Sequence, residues 1–83
     1  MNTYFVIYYS QMPESLVDFV RSHKEINLTK EGVRPMGNTR FPRATIRISS
    51  TVQGLDKDLF RNLSTLLQKL KDEKAIINFS VQG

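Results

Sequence analysis

Cysteine and tryptophan are absent from this 83-residue sequence. Without a thiol there is no disulfide, no zinc–thiolate centre and no cysteine nucleophile. A cysteine-free chain suits a reducing compartment, so the cytoplasm is the expected location. Long apolar runs are missing too. The longest, Tyr4 to Tyr9, falls far short of the roughly 20 residues a membrane-spanning helix needs. No basic segment followed by an apolar run opens the chain, so no signal peptide is expected. Glycine is sparse: Gly32, Gly37, Gly54 and Gly83 have no spacing that could cradle a phosphate. No repeat, low-complexity tract or linker is visible, and residues 1–83 read as a single domain.

What is present is an uneven charge. The formal net charge is +4. Outside residues 32–55, eight basic and eight acidic residues cancel. Inside that stretch stand Arg34, Arg40, Arg43 and Arg47 with no Asp or Glu. The whole excess is therefore arginine, whose planar fork of donors suits phosphate or carboxylate. A solvated hairpin is the plain reading of such a cluster, and a phosphate-binding surface is the sharper one.

The run Thr-Tyr-Phe-Val-Ile-Tyr-Tyr at 3–9 is β-branched and aromatic throughout, as in a central strand buried on both faces. Pro13 suits the first turn of a helix, with Glu14 near its positive end. Leu16, Phe19, Val20 and His23 follow at helical spacing to about residue 24. Ile26 and Leu28 alternate, which predicts a short edge strand over 26–34, with Gly32 as a bulge or break. Pro35-Met36-Gly37-Asn38 is a turn signal. Ala44, Ile46, Ile48 and Val52 then alternate with Thr45, Arg47, Ser49 and Thr51, a half-buried strand that Gly54 ends and Pro42 delays to about Arg43. Asp56 is the expected N-cap of a second helix over 56–73, whose stripe is Leu59, Leu63, Leu66, Leu67 and Leu70, flanked by Phe60. Lys69, Lys71 and Lys74 suit its negative end. Residues 75–81 close the chain as a strand, with Ile77, Phe79 and Val81 on one face. The order is β-α-β-β-α-β, which predicts an α+β, ferredoxin-like domain with two helices on one face of an antiparallel sheet.

Parity then gives the contents of the open face. With Ala44, Ile46 and Ile48 toward the helices, Phe41, Arg43, Thr45 and Arg47 point away from them. With Phe5 and Ile7 in the core, Tyr4, Val6 and Tyr8 lie beside those arginines, and Arg34 and Arg40 extend the charge along the hairpin. Aromatic rings bordered by arginines are the physical recipe for binding single-stranded nucleic acid. In outline the face resembles the RNA-recognition motif. The stretch Arg40-Phe41-Pro42-Arg43-Ala44-Thr45-Ile46-Arg47 lacks the glycine and later aromatics of that family's third strand, so no membership follows. Tyr4, Val6 and Tyr8 also suit a face that packs two copies together, and a homodimer is expected.

Catalysis finds little support. His23 is the one histidine and reads as a boundary residue at a helix end. The small ferredoxin-like nucleases of bacterial adaptive immunity place an acid just after the first strand. Here that region is Tyr9-Ser10-Gln11-Met12, with no acid before Glu14. The expectation is a non-enzymatic protein with no metal or cofactor and no membrane association. Its nucleic-acid-binding residues would be Arg34, Arg40, Phe41, Arg43, Arg47, Tyr4 and Tyr8, and its partner RNA, preferably single-stranded. The alternative is a small inhibitor of the phage-accessory or toxin-antagonist kind. Its arginine hairpin would block an acidic or nucleic-acid-binding site on a target such as a nuclease, with or without RNA.

Overall fold

A computed structural model of the chain describes residues 2–49 and 57–82. In chain order it contains strand β1 (Asn2–Tyr8), helix α1 (Glu14–Arg21), strand β2 (Ile26–Met36), strand β3 (Thr39–Ser49), helix α2 (Lys57–Asp72) and strand β4 (Asn78–Gln82). The fold is α+β, with two helices and one antiparallel sheet of four strands in the order β2-β3-β1-β4. Among the described residues no helix is long and apolar enough to cross a membrane.

The apolar alternation read from the sequence decides which sheet face is covered. Phe5 pairs with Ile46, and Ile7 with Ala44. Ile26 pairs with Ile48. All six are buried, in one cluster with Leu16 of α1 and Leu59, Leu63, Leu67 and Leu70 of α2. Phe60 joins the edge of this core, its ring centroid 5.2 Å from that of Phe5. At about 25 cal/mol per Å² of apolar surface, each such side chain contributes roughly 1.5–3 kcal/mol when fully buried. β1 lies between β3 and β4, the central place expected of it, but it is not buried on both faces: the helices cover one side only, and Tyr4 on the other is 37% exposed.

Element ends differ from the sequence reading, for local reasons. Helix α1 starts as expected: the Leu16 and Val17 N–H groups both donate to the Pro13 carbonyl at 3.2 Å. It stops at Arg21 and not near residue 24: its end tightens, with His23 N–H on the Val20 carbonyl three residues back at 3.2 Å, and side chains add bonds to the carbonyls of the last turn. Ser22 Oγ donates to the Asp18 carbonyl at 2.9 Å, and His23 Nδ1 lies 2.8 Å from the Phe19 carbonyl. A carbonyl only accepts, so Nδ1 carries the proton, and the imidazole stacks on Phe19 at 4.4 Å. His23 therefore closes the helix from just beyond its end.

Strand β2 is longer than expected, running past residue 34 to Met36. The irregularity predicted near Gly32 is a bulge: the register with β3 shifts between Lys30 and Gly32, leaving Glu31 as the extra residue. Gly32 has φ +81°, a conformation most side chains resist. The predicted turn narrows to Gly37-Asn38 between the paired Met36 and Thr39. Gly37 sits at φ +62° in its first central position, as a primed two-residue hairpin turn needs. β4 begins at Asn78 and not at 75, because Ala75 and Ile76 finish α2. Their N–H groups donate to the Leu70 carbonyl at 2.8 and 3.3 Å. The expected cap at Asp56, the break at Gly54, and Thr51 and Val52 lie outside the described residues.

Those last bonds, with Lys74 N–H donating to the Lys71 carbonyl at 3.0 Å, form a Schellman closure. The residue that must turn left-handed is Lys74, at φ +61°. A lysine there carries a strain of about 1 kcal/mol that glycine avoids, only partly offset by its charge at the negative helix end. Lys74→Gly is expected to stabilise the fold by about 0.5–1 kcal/mol. Urea denaturation checks this, and an unchanged or lower midpoint would remove the strain argument.

Candidate functional site

The sheet face away from the helices is built by strand alternation. Tyr4 lies opposite Arg47, Val6 opposite Thr45 and Tyr8 opposite Arg43. From β2, Asn27 faces Arg47, Thr29 faces Thr45 and Arg34 faces Phe41. Of the sequence-predicted residues, Tyr4, Tyr8, Arg34, Phe41, Arg43 and Arg47 therefore share this face. Arg40 does not. It pairs with Pro35, one position out of phase with Phe41, so it belongs to the opposite face at the exposed end of the hairpin.

The arginines are not equivalent. Arg47 is exposed and, among the described residues, has no ion pair or side-chain hydrogen bond. Arg34 is exposed and donates only to its neighbour's carbonyl, Val33 O, at 3.3 Å. Arg43 is committed within the chain. Its Nε donates to Glu31 Oε2 at 2.7 Å, its Nη2 pairs with the same oxygen, and its Nη1 lies 3.5 Å from the Tyr8 hydroxyl. Thr45 Oγ1 donates to the other oxygen, Glu31 Oε1. The Tyr8 hydroxyl donates to the Pro35 carbonyl at 3.2 Å, so this side chain reaches across β3 toward β2.

Glu31 is the residue that sequence reasoning missed. It lies one position before the acid-free stretch, and in a regular strand only one of residues 31 and 32 could face Arg43. The bulge places both opposite it and brings the carboxylate onto the open face. A carboxylate directly before a glycine in an edge strand was the available signal. The face thus holds three arginines against one glutamate, two positive charges net.

Tyr4 is 37% exposed, while Val6 is only 8% exposed although its parity points outward. Val6 forms the floor of a shallow depression of about 300 Å³, walled by Tyr4, Glu31, Arg43, Thr45 and Gln82. A second depression of about 480 Å³ adjoins it, lined by Tyr4, Asn27, Thr29, Thr45 and Arg47. Tyr4 and Thr45 are common to both. Among the described residues no group of three or more His, Cys, Asp or Glu is placed to hold a metal ion. Comparison with protein-family models, curated proteins and solved structures finds no match to this chain.

The Thr45 hydrogen bond, followed by the hydrogen bond and charge of Arg43, holds the Glu31 carboxyl below its ordinary value near 4.5, against the opposing effect of burial. Because the folded value lies below the unfolded one, the stabilisation is complete above about pH 4.5 and is lost as pH falls through the folded value. Denaturation of Glu31→Gln beside the parent across the acid range is expected to show the stability difference shrinking as pH drops. A difference that stays constant from neutral to about pH 3 would mean that the carboxylate gains nothing from these partners.

Proposed function

We propose that this chain is a ferredoxin-like domain that binds RNA, single strands preferred, without catalysing a reaction on it, as a cytoplasmic homodimer. Two facts support the fold reading: the β-α-β-β-α-β element order, and a sheet in which β1 and β3 lie side by side between β2 and β4. Two interleaved split β-α-β units produce that arrangement. One observation carries the functional reading. Arg47 has no partner within the described residues and sits directly across the strand pair from the exposed ring of Tyr4. A base stacks on the ring while the guanidinium meets the adjoining phosphate.

The roles divide by what each side chain already holds. Arg47 and Arg34 are the phosphate contacts. Arg43 is bound to Glu31 and serves mainly to shape the depression beside Tyr4. Tyr4 is the stacking platform, with Phe41 and Tyr8 flanking it along the face. Few groups are placed to read base edges, so sequence selectivity is low.

A second reading has its own support. Past Pro42, whose carbonyl accepts from Tyr9 N–H at 3.0 Å, residues 39–41 of β3 have no partner in β1, so the β2–β3 ribbon continues past the body of the sheet. The described chain is accordingly elongated, 40 by 22 by 18 Å. Arg34, Arg40 and a half-exposed Val33 sit on this projection, which suits insertion into an acidic cleft of a target enzyme, as an inhibitor does.

Fluorescence titration of labelled short RNAs over a salt series tests the first reading. Arg47→Ala is expected to weaken binding and flatten the salt slope by about 0.7. Tyr4→Ala is expected to cost about 1–3 kcal/mol. Arg43→Ala should cost less than Arg47→Ala. Affinity indifferent to salt, or Arg47→Ala binding like the parent, counts against RNA. A protein partner retained on the immobilised chain after complete RNA digestion, and released by Arg34→Ala with Arg40→Ala, favours inhibition instead.

A further inference from the structure

The sheet has two edges, and they are built differently. The outer edge of β2 carries a bulge at Glu31, a left-handed Gly32, the charges of Lys30, Glu31 and Arg34, and Pro35, which has no N–H to offer. These are the devices that keep an edge strand from recruiting another strand. β4 has none of them. Its sequence Asn-Phe-Ser-Val-Gln is uncharged and free of proline and glycine, and it pairs with β1 from end to end with no shift in register. Val81, on the helix side of this edge, is 46% exposed. Beside it a hollow of about 680 Å³ opens between α2 and β4, lined by Ser64, Thr65, Gln68, Lys69, Asp72, Glu73 and Phe79.

We propose that a second copy of the chain closes this edge, with β4 antiparallel to the partner's β4 about a two-fold axis at Ser80, so that the two sheets become one of eight strands. The strand is its own complement. With Ser80 facing the partner's Ser80, Val81 lies opposite the partner's Phe79, and Asn78 opposite the partner's Gln82. Apolar groups meet on the helix side, amides meet on the open side, and β4 itself brings no charge to the strand seam. Helix α2 obeys the same symmetry. Arg61, Thr65, Gln68 and Asp72 fall on one helix stripe; within one chain Arg61 pairs with Asp58 and Asp72 accepts from Gln68, and an antiparallel approach sets the Arg61 end of one copy against the partner's Asp72 as a further charge contact. A foreign strand would need the same alternation and the same charge order, which this chain supplies to itself.

The assignment does not depend on RNA binding. It moves the dimer contact away from Tyr4, Val6 and Tyr8, where the sequence had suggested it, and leaves the open faces of both copies, with their exposed Tyr4 rings, on one continuous surface.

Sedimentation of the purified chain over a concentration series tests this. The parent is expected to be a dimer. Val81→Lys, which puts an ammonium at the seam, is expected to weaken association at least about tenfold while keeping the parent's circular dichroism. Tyr4→Lys is expected to leave the dimer intact. Hydrogen exchange of the unsubstituted chain gives an independent readout: the β4 amides that face away from β1 should be protected in concentrated samples and lose that protection on dilution. A parent monomeric at hundreds of micromolar, a dimer that Tyr4→Lys breaks and Val81→Lys does not, or β4 amides unprotected at every concentration would each overturn the assignment.

Discussion

The chain depends on one constraint, the burial of Ala44, Ile46 and Ile48 under two helices. A strand alternates, so fixing three residues on the helix side leaves Arg43, Thr45 and Arg47 on the other. The constraint is strong because a one-residue slip would put three apolar side chains into water and arginines into the core. β1 and β2 reinforce it, since Phe5, Ile7 and Ile26 are paired with those same residues. The polar character of the open face is therefore a by-product of how the core packs, and any role for that face inherits its geometry from the core.

Glu31 then divides the charge of that face. The bulge in β2 adds one residue to the strand and turns a carboxylate toward Arg43 and Thr45. Partly buried ion pairs of this kind restrict geometry more than they stabilise, because both groups give up water to meet. What the pair does here is hold the Arg43 fork in one direction, tie it to β2, and leave Arg47 and Arg34 as the arginines on this face whose charge is unspent.

The sequence made the alternation legible, and with it the two sheet faces, the leucine stripe of α2 and the central position of β1. Period-two and period-3.6 apolar patterns report burial directly. Termini were less legible, because they were decided by single hydrogen bonds: His23 Nδ1 on the Phe19 carbonyl and Ala75 N–H on the Leu70 carbonyl have no pattern to announce them. The charged site was half legible. Arg43 and Arg47 were placed on the correct face, but their difference could not be read, because it depends on a bulge that shifts Glu31 by one residue relative to β3. Arg40 is a different case: the alternation that puts Phe41 and Arg43 on the open face already puts Arg40 with Ala44 and Ile46, so its place was legible within β3 itself.

The ribbon that carries Arg34 and Arg40 has a further consequence. At its root the Pro42 carbonyl accepts from Tyr9 N–H at 3.0 Å and the Pro35 carbonyl from the Tyr8 hydroxyl; beyond these, among the described residues, its backbone bonds run between two strands only. Such a segment opens at a lower free energy than the sheet it extends, while the strands rooted under α1 and α2 stay closed. A partner that grips that end must order a segment held by few neighbours, and one that lies on the Tyr4 side meets strands already rooted under the helices.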